Sequence, residues 1–452
     1  MNGLDFESQP DALVHIHAQM RHMISILDKI NNRLSSLEHG QSTSEAALQA
    51  MAKRFDHSEK SNSALLRSLS TQLRNLENSR IRFHTRFSDL PREIVVQIFS
   101  WIAPHAVPSL RLLSRCMQAC LDSKYFCKMN MARFVSPEVI HTGSFLVNDL
   151  DSRWMRMPVF LQESYAEAVL AHRAVLNWSG MGLSGCIPSS VACLVSLKSL
   201  LMDENRIHGS LPKSFGKLKR NLEKISAAHN EISGSIPKEL SECIKLTSLD
   251  LRFNKLSGVI PQELSRLTHL KFLHLSDNRL SGAIPASIGD LKNLEQLSLD
   301  DNCFLPDVIP SAFMNLQRLS ILNLSNCRLR GPLPDWIGTH LSCLQCLNLH
   351  GNTITGSIPS SIGNLMQLRI LSLGRNWLTG TLPIELGRLT QLDELHVHEN
   401  RVIGTFPREL VSLVNLRVLC LRGNANLSKS IPIGIPEHSN IWRLLRNEFE
   451  YW

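Results

Sequence analysis

The sequence predicts an α/β solenoid of about eleven 24-residue repeats, preceded by an all-α helical unit and by an N-terminal coiled-coil helix. Three observations carry that expectation. The pattern L-x-x-L-x-L-x-x-N recurs with anchors at Met181, Asn205, Asn230, Asn254, Asn278, Asn302, Cys327, Asn352, Asn376, Asn400 and Asn424, every spacing being 24 or 25 residues. Apolar residues from Leu13 to Leu37 follow one another in alternating steps of three and four. Between these stretches lies a short run of helically spaced apolar residues, closed by Pro104 and Pro108. A fixed period of this length marks a stacked array in which each unit buries its apolar face only against its neighbours.

Residues 1–9 read as a tail without fixed structure, and 10–80 as a coiled coil or a helical hairpin. Leu13, Ile16, Met20, Met23, Leu27, Ile30, Leu34 and Leu37 share one seam, which can be buried only against another helix. Gly40 marks a break, after which the register resumes at Leu48, Met51, Phe55, Leu65, Leu69 and Leu76. A self-associating coil that gives a homodimer and a lone helix docked on its own protein both stay open. Residues 84–133 form the helical unit: Ser88 and Asp89 cap a first turn holding Pro91 and Glu93, followed by Ile94, Val95, Ile98, Phe99 and Ile102. A second apolar face runs through Leu110, Leu113, Met117 and Leu121. So small a unit is marginal alone, and a partner covering its apolar face would help it.

Residues 134–172 are expected to be a helical connector and N-terminal cap, with an amphipathic helix from Met157 to Ala174. The solenoid proper spans 173–432, and 433–452 close it through Ile441, Trp442, Leu445 and Phe449. Within a repeat such as Leu246–Asn254, alternation sends Leu249 and Leu251 inward from a short strand. The Asn amide is then placed to bond backbone groups of adjacent turns that would otherwise be buried without partners. Proline follows the anchor by seven residues in nine of the eleven units, and glycine by four equally often. The Ile-Pro step predicts an extended path on the convex side.

Two stretches resemble known families. Leu90-Pro91-Arg92-Glu93-Ile94-Val95-Val96-Gln97-Ile98-Phe99, with Leu113-Ser114-Arg115-Cys116 and Tyr125-Phe126, resembles an F-box, departing from the family pattern at Arg115 and Ala119. That resemblance implies docking onto the small adaptor subunit of an SCF-type cullin–RING ubiquitin ligase, chiefly through Leu90, Pro91, Ile94, Ile98 and Phe99. The run Leu256-Ser257-Gly258-Val259-Ile260-Pro261 and its copies resemble the plant-specific class of leucine-rich repeats.

Composition removes several classes. A hydrophobic content of 43% with 19% charged residues is incompatible with a wholly disordered chain. Lys and Arg exceed Asp and Glu by only 48 to 40 without a basic block, which disfavours nucleic acid. No 18-residue apolar run predicts a membrane span, and the charged start (Asp5, Glu7, Asp11) lacks a secretory core. Eleven scattered cysteines without paired metal spacing suggest free thiols in a reducing, intracellular setting. Neither a phosphate loop nor a nucleophile–base–orienter set stands out, so no catalysis and no cofactor are expected.

Function on such an array is expected on the outward positions of the strand row. One column there is Asp250, His274, Ser298, Asn323, Asn348, Ser372, His396 and Cys420; the next is Arg252, Ser276, Asp300, Ser325, His350, Gly374, His398 and Arg422. Both are polar and mixed in sign, as a protein or peptide target requires. Asp250, Arg252, His274, Asp300, Asn323, Asn348, His350, Glu394, His396, His398 and Arg422 are the candidate contacts. Glu394, His396 and His398 alternate beside Cys420 and are suitable zinc ligands, but a flat row should splay them, so a partner-contact patch without metal is expected. The favoured function is a substrate-receptor subunit binding the adaptor, the cullin complex and an unidentified protein target. A non-catalytic scaffold joining a coiled coil to a binding array is the alternative.

Overall fold

Each repeat carries two leucines that alternation drives to the same side, and stacking these pairs builds the molecule. The computed structural model describes residues 96, 99–100, 107, 115–134, 151 and 153–450. The heptad seam, and with it the 10–80 coil, lies outside the described residues. Eleven short strands, from Val175–Asn177 to Val418–Cys420, form one parallel sheet in strictly sequential order. The register never slips: Leu249 faces Leu273, Leu273 faces Leu297, and Leu297 faces Leu322, although the last step spans a 25-residue repeat. The additional residue is absorbed in the loop because a one-residue slip would turn every leucine outward. Leu246, Leu249 and Leu251 are fully buried, as are their equivalents along the array.

The Asn anchors form the second spine. Asn278 donates from Nδ2 to the carbonyls of Leu251, Leu275 and Ser276 and accepts the Leu256 N–H on Oδ1. Asn230, Asn254, Asn302, Asn352, Asn376 and Asn400 repeat the arrangement. Four backbone groups at the chain's exit from each strand are thereby satisfied by one amide. Cys327 occupies its slot with weaker contacts, its thiol 3.4 Å from the carbonyls of Leu299 and Ser325.

The convex side differs from the extended path expected there. Pro261 is itself extended (φ −62°, ψ 128°), but it opens a 3₁₀ turn, Gln262–Arg266, and nearly every repeat does the same. Proline fixes only its own φ and the preceding residue, leaving the next five free to make a turn that fits a short repeat. A second set of strands lies after the anchors: five in order from Ser184–Cys186 to Arg279–Leu280, then separate pairs at Arg330–Pro332 with Thr353–Thr355 and at Ile403–Gly404 with Asn426–Leu427. Gly258 at the end of one such strand has φ +79°, a conformation that costs a side-chain-bearing residue stability. The five-stranded run ends at the repeat where Pro306 stands in place of that glycine, although the Cys303 and Leu305 N–H groups still donate to the Leu280 and Gly282 carbonyls.

Both ends are closed. The helix Val159–Tyr165 continues through a π turn, Ala166–Leu170, and buries Leu161, Tyr165, Val169 and Leu170. Asp151, 1% exposed, accepts the Tyr165 hydroxyl and pairs with Arg173 at 3.0 Å. The helix Lys124–Phe134 packs on this cap with Phe126 and Cys127 inside, and Lys124 Nζ donates to Glu167 at 2.9 Å. At the other end the helix Asn440–Glu450 buries Ile441 and Leu445, as its apolar spacing predicts. It also buries Glu448, whose Oε1 accepts the N–H groups of Leu421 and Arg422 at 2.7 and 3.0 Å.

Candidate partner-binding face

Strand alternation leaves the residues flanking each buried leucine on the outer face, and the unslipped register lines them up in columns. Asp250 stands opposite His274, Asn323 opposite Asn348, and His396 opposite Cys420. The candidates do not act as one surface; they gather into two clusters.

The first holds Asp250, Arg252, His274 and Asp300. Arg252 grips Asp250 through Nε at 3.0 Å and Nη2 at 2.8 Å, with His274 Nδ1 3.7 Å away. Burial alone would raise the Asp250 carboxyl; the bonds from His274 and Arg252 outweigh it and hold the group well below the usual carboxylate range. Its neighbour Asp300 goes the other way, raised by burial despite the Ser276 hydroxyl donated to it. A depressed carboxyl contributes stability that is present above its unfolded pKa of about 3.9 and is lost as pH falls through the lower folded value. Asp250→Asn is therefore expected to lower the urea midpoint at pH 7, by a margin that narrows steadily as pH falls below about 3.9. Parallel curves across that range would show that Asp250 makes no pH-linked contribution.

The second cluster holds His350, Glu394, His396, His398 and Cys420. His396 Nε2 lies 3.0 Å from Glu394 Oε2. Hydrogen bonding to Cys420, more than that to Glu394, pushes the His396 imidazole up to about 9 against the opposing effect of burial. Burial pushes His350 and His398 down, towards the neutral form. The expected splay is not what the strands produce. A ligating atom from each of His396, His398 and Cys420 lies within 4.8 Å of the others, because the His398 ring leans over the side-chain-free Gly374. Two other groupings have the same compactness. Between Glu163 and Glu167, beside Cys193, the Lys124 ammonium already supplies the cation, 3.9 and 2.9 Å from the two carboxylates. Asp277, Asp300 and Asp301 form an acidic group.

The remaining candidates are more constrained. Asn323 and Asn348 turn their Oδ1 atoms onto the N–H groups of Ser325 and His350. Arg422 lies 3.5 Å from the buried Glu448. Of the residues expected to face an adaptor, Leu90, Pro91, Ile94 and Ile98 fall outside the described residues. Phe99 is 5% exposed, so its ring belongs to the interior and is not free to face a partner as expected.

Sequence reasoning names only Glu394 from one further outward column and misses a second one entirely. The strand-opening position carries Phe272, Gln296, Ile321, Cys346 and Ile370, half-buried and more apolar than the columns beside it. The residue just before each anchor is in the left-handed region, as at Glu204, His229, Phe253, Asp277, Asp301, Arg375 and Glu399, with φ of 52–55°. There Phe253 stacks on His229 with centroids 4.2 Å apart, and Arg375 Nε lies 3.1 Å from Glu399. Only the fixed offset from the asparagine could have revealed these positions.

Comparison with known proteins finds two kinds of module in the chain. The F-box domain model matches residues 87–129. Leucine-rich repeat models match 196–218, 220–280, 268–329 and 322–432. Both are protein-interaction modules. Receptor-like protein 35 of Arabidopsis thaliana is 37% identical over 73 residues, 16% of this chain and 8% of that protein. Receptor-like protein 13 of the same plant is 33% identical over 78 residues, 17% and 7% respectively. The match thus spans less than a tenth of these relatives' length. Among solved structures, a TDR receptor superposes with a TM-score of 0.53 at 30% identity over 59% of this chain and 48% of that one. The Arabidopsis receptor kinase HAESA, in complex with the peptide hormone IDA, gives 0.51 at 33% over 55% and 46%. Among the described residues no helix is long and apolar enough to cross a membrane, and ten of the eleven cysteines, all but Cys116, are free thiols.

Proposed function

We propose that this chain is a substrate receptor of an SCF-type ubiquitin ligase acting inside the cell. The observation that carries the reading is the F-box match at 87–129, joined within one compact unit to a leucine-rich repeat array. Leu90, Pro91, Ile94 and Ile98 would dock the adaptor, and the outward strand columns would hold the target protein. The peptide hormone held by HAESA supports a peptide or protein as the kind of ligand a repeat array of this type accepts. Asp250, Arg252, His274 and Asp300 offer paired charges, whereas Asn323 and Asn348 offer amides already engaged with backbone. The chain itself contributes proximity; transfer chemistry belongs to the other subunits.

The test is capture of the adaptor subunit by the full chain, comparing wild type with a Leu90→Ala/Pro91→Ala/Ile94→Ala triple variant. Stoichiometric capture by wild type, with at least a tenfold loss in a variant of unchanged thermal melt, is expected from removing three apolar anchors. A folded wild-type chain that does not capture the adaptor would overturn the receptor reading and leave the scaffold in its place.

A further inference from the structure

We infer that the outer strand face carries a zinc-type metal site formed by His396, His398 and Cys420. His396 closes the strand Glu394–His396, His398 follows two residues later, and Cys420 stands opposite His396 on the next strand. One ligating atom from each lies within 4.8 Å of the others. Atoms bound to a common tetrahedral zinc at about 2.0–2.3 Å sit roughly 3.3–3.8 Å apart, so modest side-chain rotation brings all three onto one ion. One thiolate with two imidazoles is a donor set that suits zinc and leaves a fourth position open.

Three independent features of the surroundings fit this reading. Glu394 holds Nε2 of His396, which fixes the ring and leaves Nδ1 to exchange its proton for a metal, the usual support of a metal-bound histidine. Gly374 makes room for the second ring: a Cβ there would lie 2.4 Å from Cε1 and 2.7 Å from Nδ1 of His398. Nδ1 of His398 is buried without a hydrogen-bond partner, a deficit that a metal bond would remove. The fourth position has a neighbour in reach. The His350 ring lies 5.4 Å, centroid to centroid, from that of His398, two repeats away. This site lies on the proposed target face, but its existence does not depend on the ligase reading.

The experiment is titration of the chelator-stripped full chain with Zn²⁺ by calorimetry, and with Co²⁺ by absorption. One equivalent of zinc and a thiolate-to-cobalt charge-transfer band are expected. Cys420→Ser should remove the band and weaken zinc binding about 100-fold; His398→Ala and Gly374→Ala, which remove or crowd the ring, should each weaken it at least about tenfold. Cys303→Ser, an exposed cysteine outside the cluster, should change neither readout. Circular dichroism confirms folding, and if Cys420→Ser does not fold, His398→Ala and Gly374→Ala decide by the same measurements. Failure of the folded wild type to bind zinc overturns the site, as does undiminished binding by the folded cluster variants.

Discussion

Asn352→Ala is expected to be among the most damaging single substitutions in the array, lowering stability by about 3–5 kcal/mol. Its side chain, in a residue 5% exposed, makes five hydrogen bonds. Oδ1 accepts the N–H groups of Cys327 and Leu329, and Nδ2 donates to the carbonyls of Leu324, Leu349 and His350. Alanine deletes all five bonds but leaves the five backbone groups where they are, buried and without that partner. An unmet buried polar group costs about 1–3 kcal/mol, which relaxation of the turn only partly recovers. Cys327→Ala, one repeat earlier, should cost about 1–2 kcal/mol, because the thiol makes only two long contacts. Asn293→Ala removes one exposed bond to the Thr268 carbonyl and should cost less than about 1 kcal/mol. Urea unfolding of the three variants checks the order. Equal losses at Asn352 and Asn293 would show that the asparagine ladder does not hold the turns.

That ranking rests on positions that the amino-acid sequence marks by itself. The offset between leucines and asparagine dictates the buried row and the amide spine, and the apolar spacing of Ile441 and Leu445 marks an end cap. The convex turns were less legible. Residues such as Gln262–Arg266 have no apolar periodicity, and proline speaks only for itself and the residue before it. The second set of strands has as few as two residues each, often ending in glycine, too short for alternation to show. On the outer face, the columns could be read from the repeat frame, but the splitting into two clusters could not. It depends on which rings lean across which gaps. Gly374 was the available clue: in a column of polar side chains it is the only position without one, and its neighbours in that column are His350 and His398. The interior placement of Phe99 was hidden for a related reason, since helical spacing groups apolar residues without saying which of them a partner would touch.

Glu448 is the residue whose role the sequence conceals most, and Glu448→Ala is the second large effect expected. In an amphipathic helix a single acid reads as a solvated position, yet this one is 5% exposed and occupies the place where a twelfth strand would continue the ladder. The last strand ends at Cys420, and without a neighbour the N–H groups of Leu421 and Arg422 would face the end of the array unpaired. An open strand edge is a template for pairing with another chain. Glu448→Ala should therefore cost about 2–4 kcal/mol, concentrated in the final repeats because a repeat array is stabilised by nearest-neighbour interfaces. Amide exchange should accelerate at Leu419 and Leu421 while Leu249 and Leu273 keep their protection, and light scattering should show self-association. Glu448→Gln retains an oxygen acceptor of the same reach and should lose less than half as much, the difference reporting the charge shared with Arg422 at 3.5 Å. If glutamine is as damaging as alanine, the ion pair and not the backbone cap holds the helix; if neither matters, burial of Ile441 and Leu445 alone closes the array.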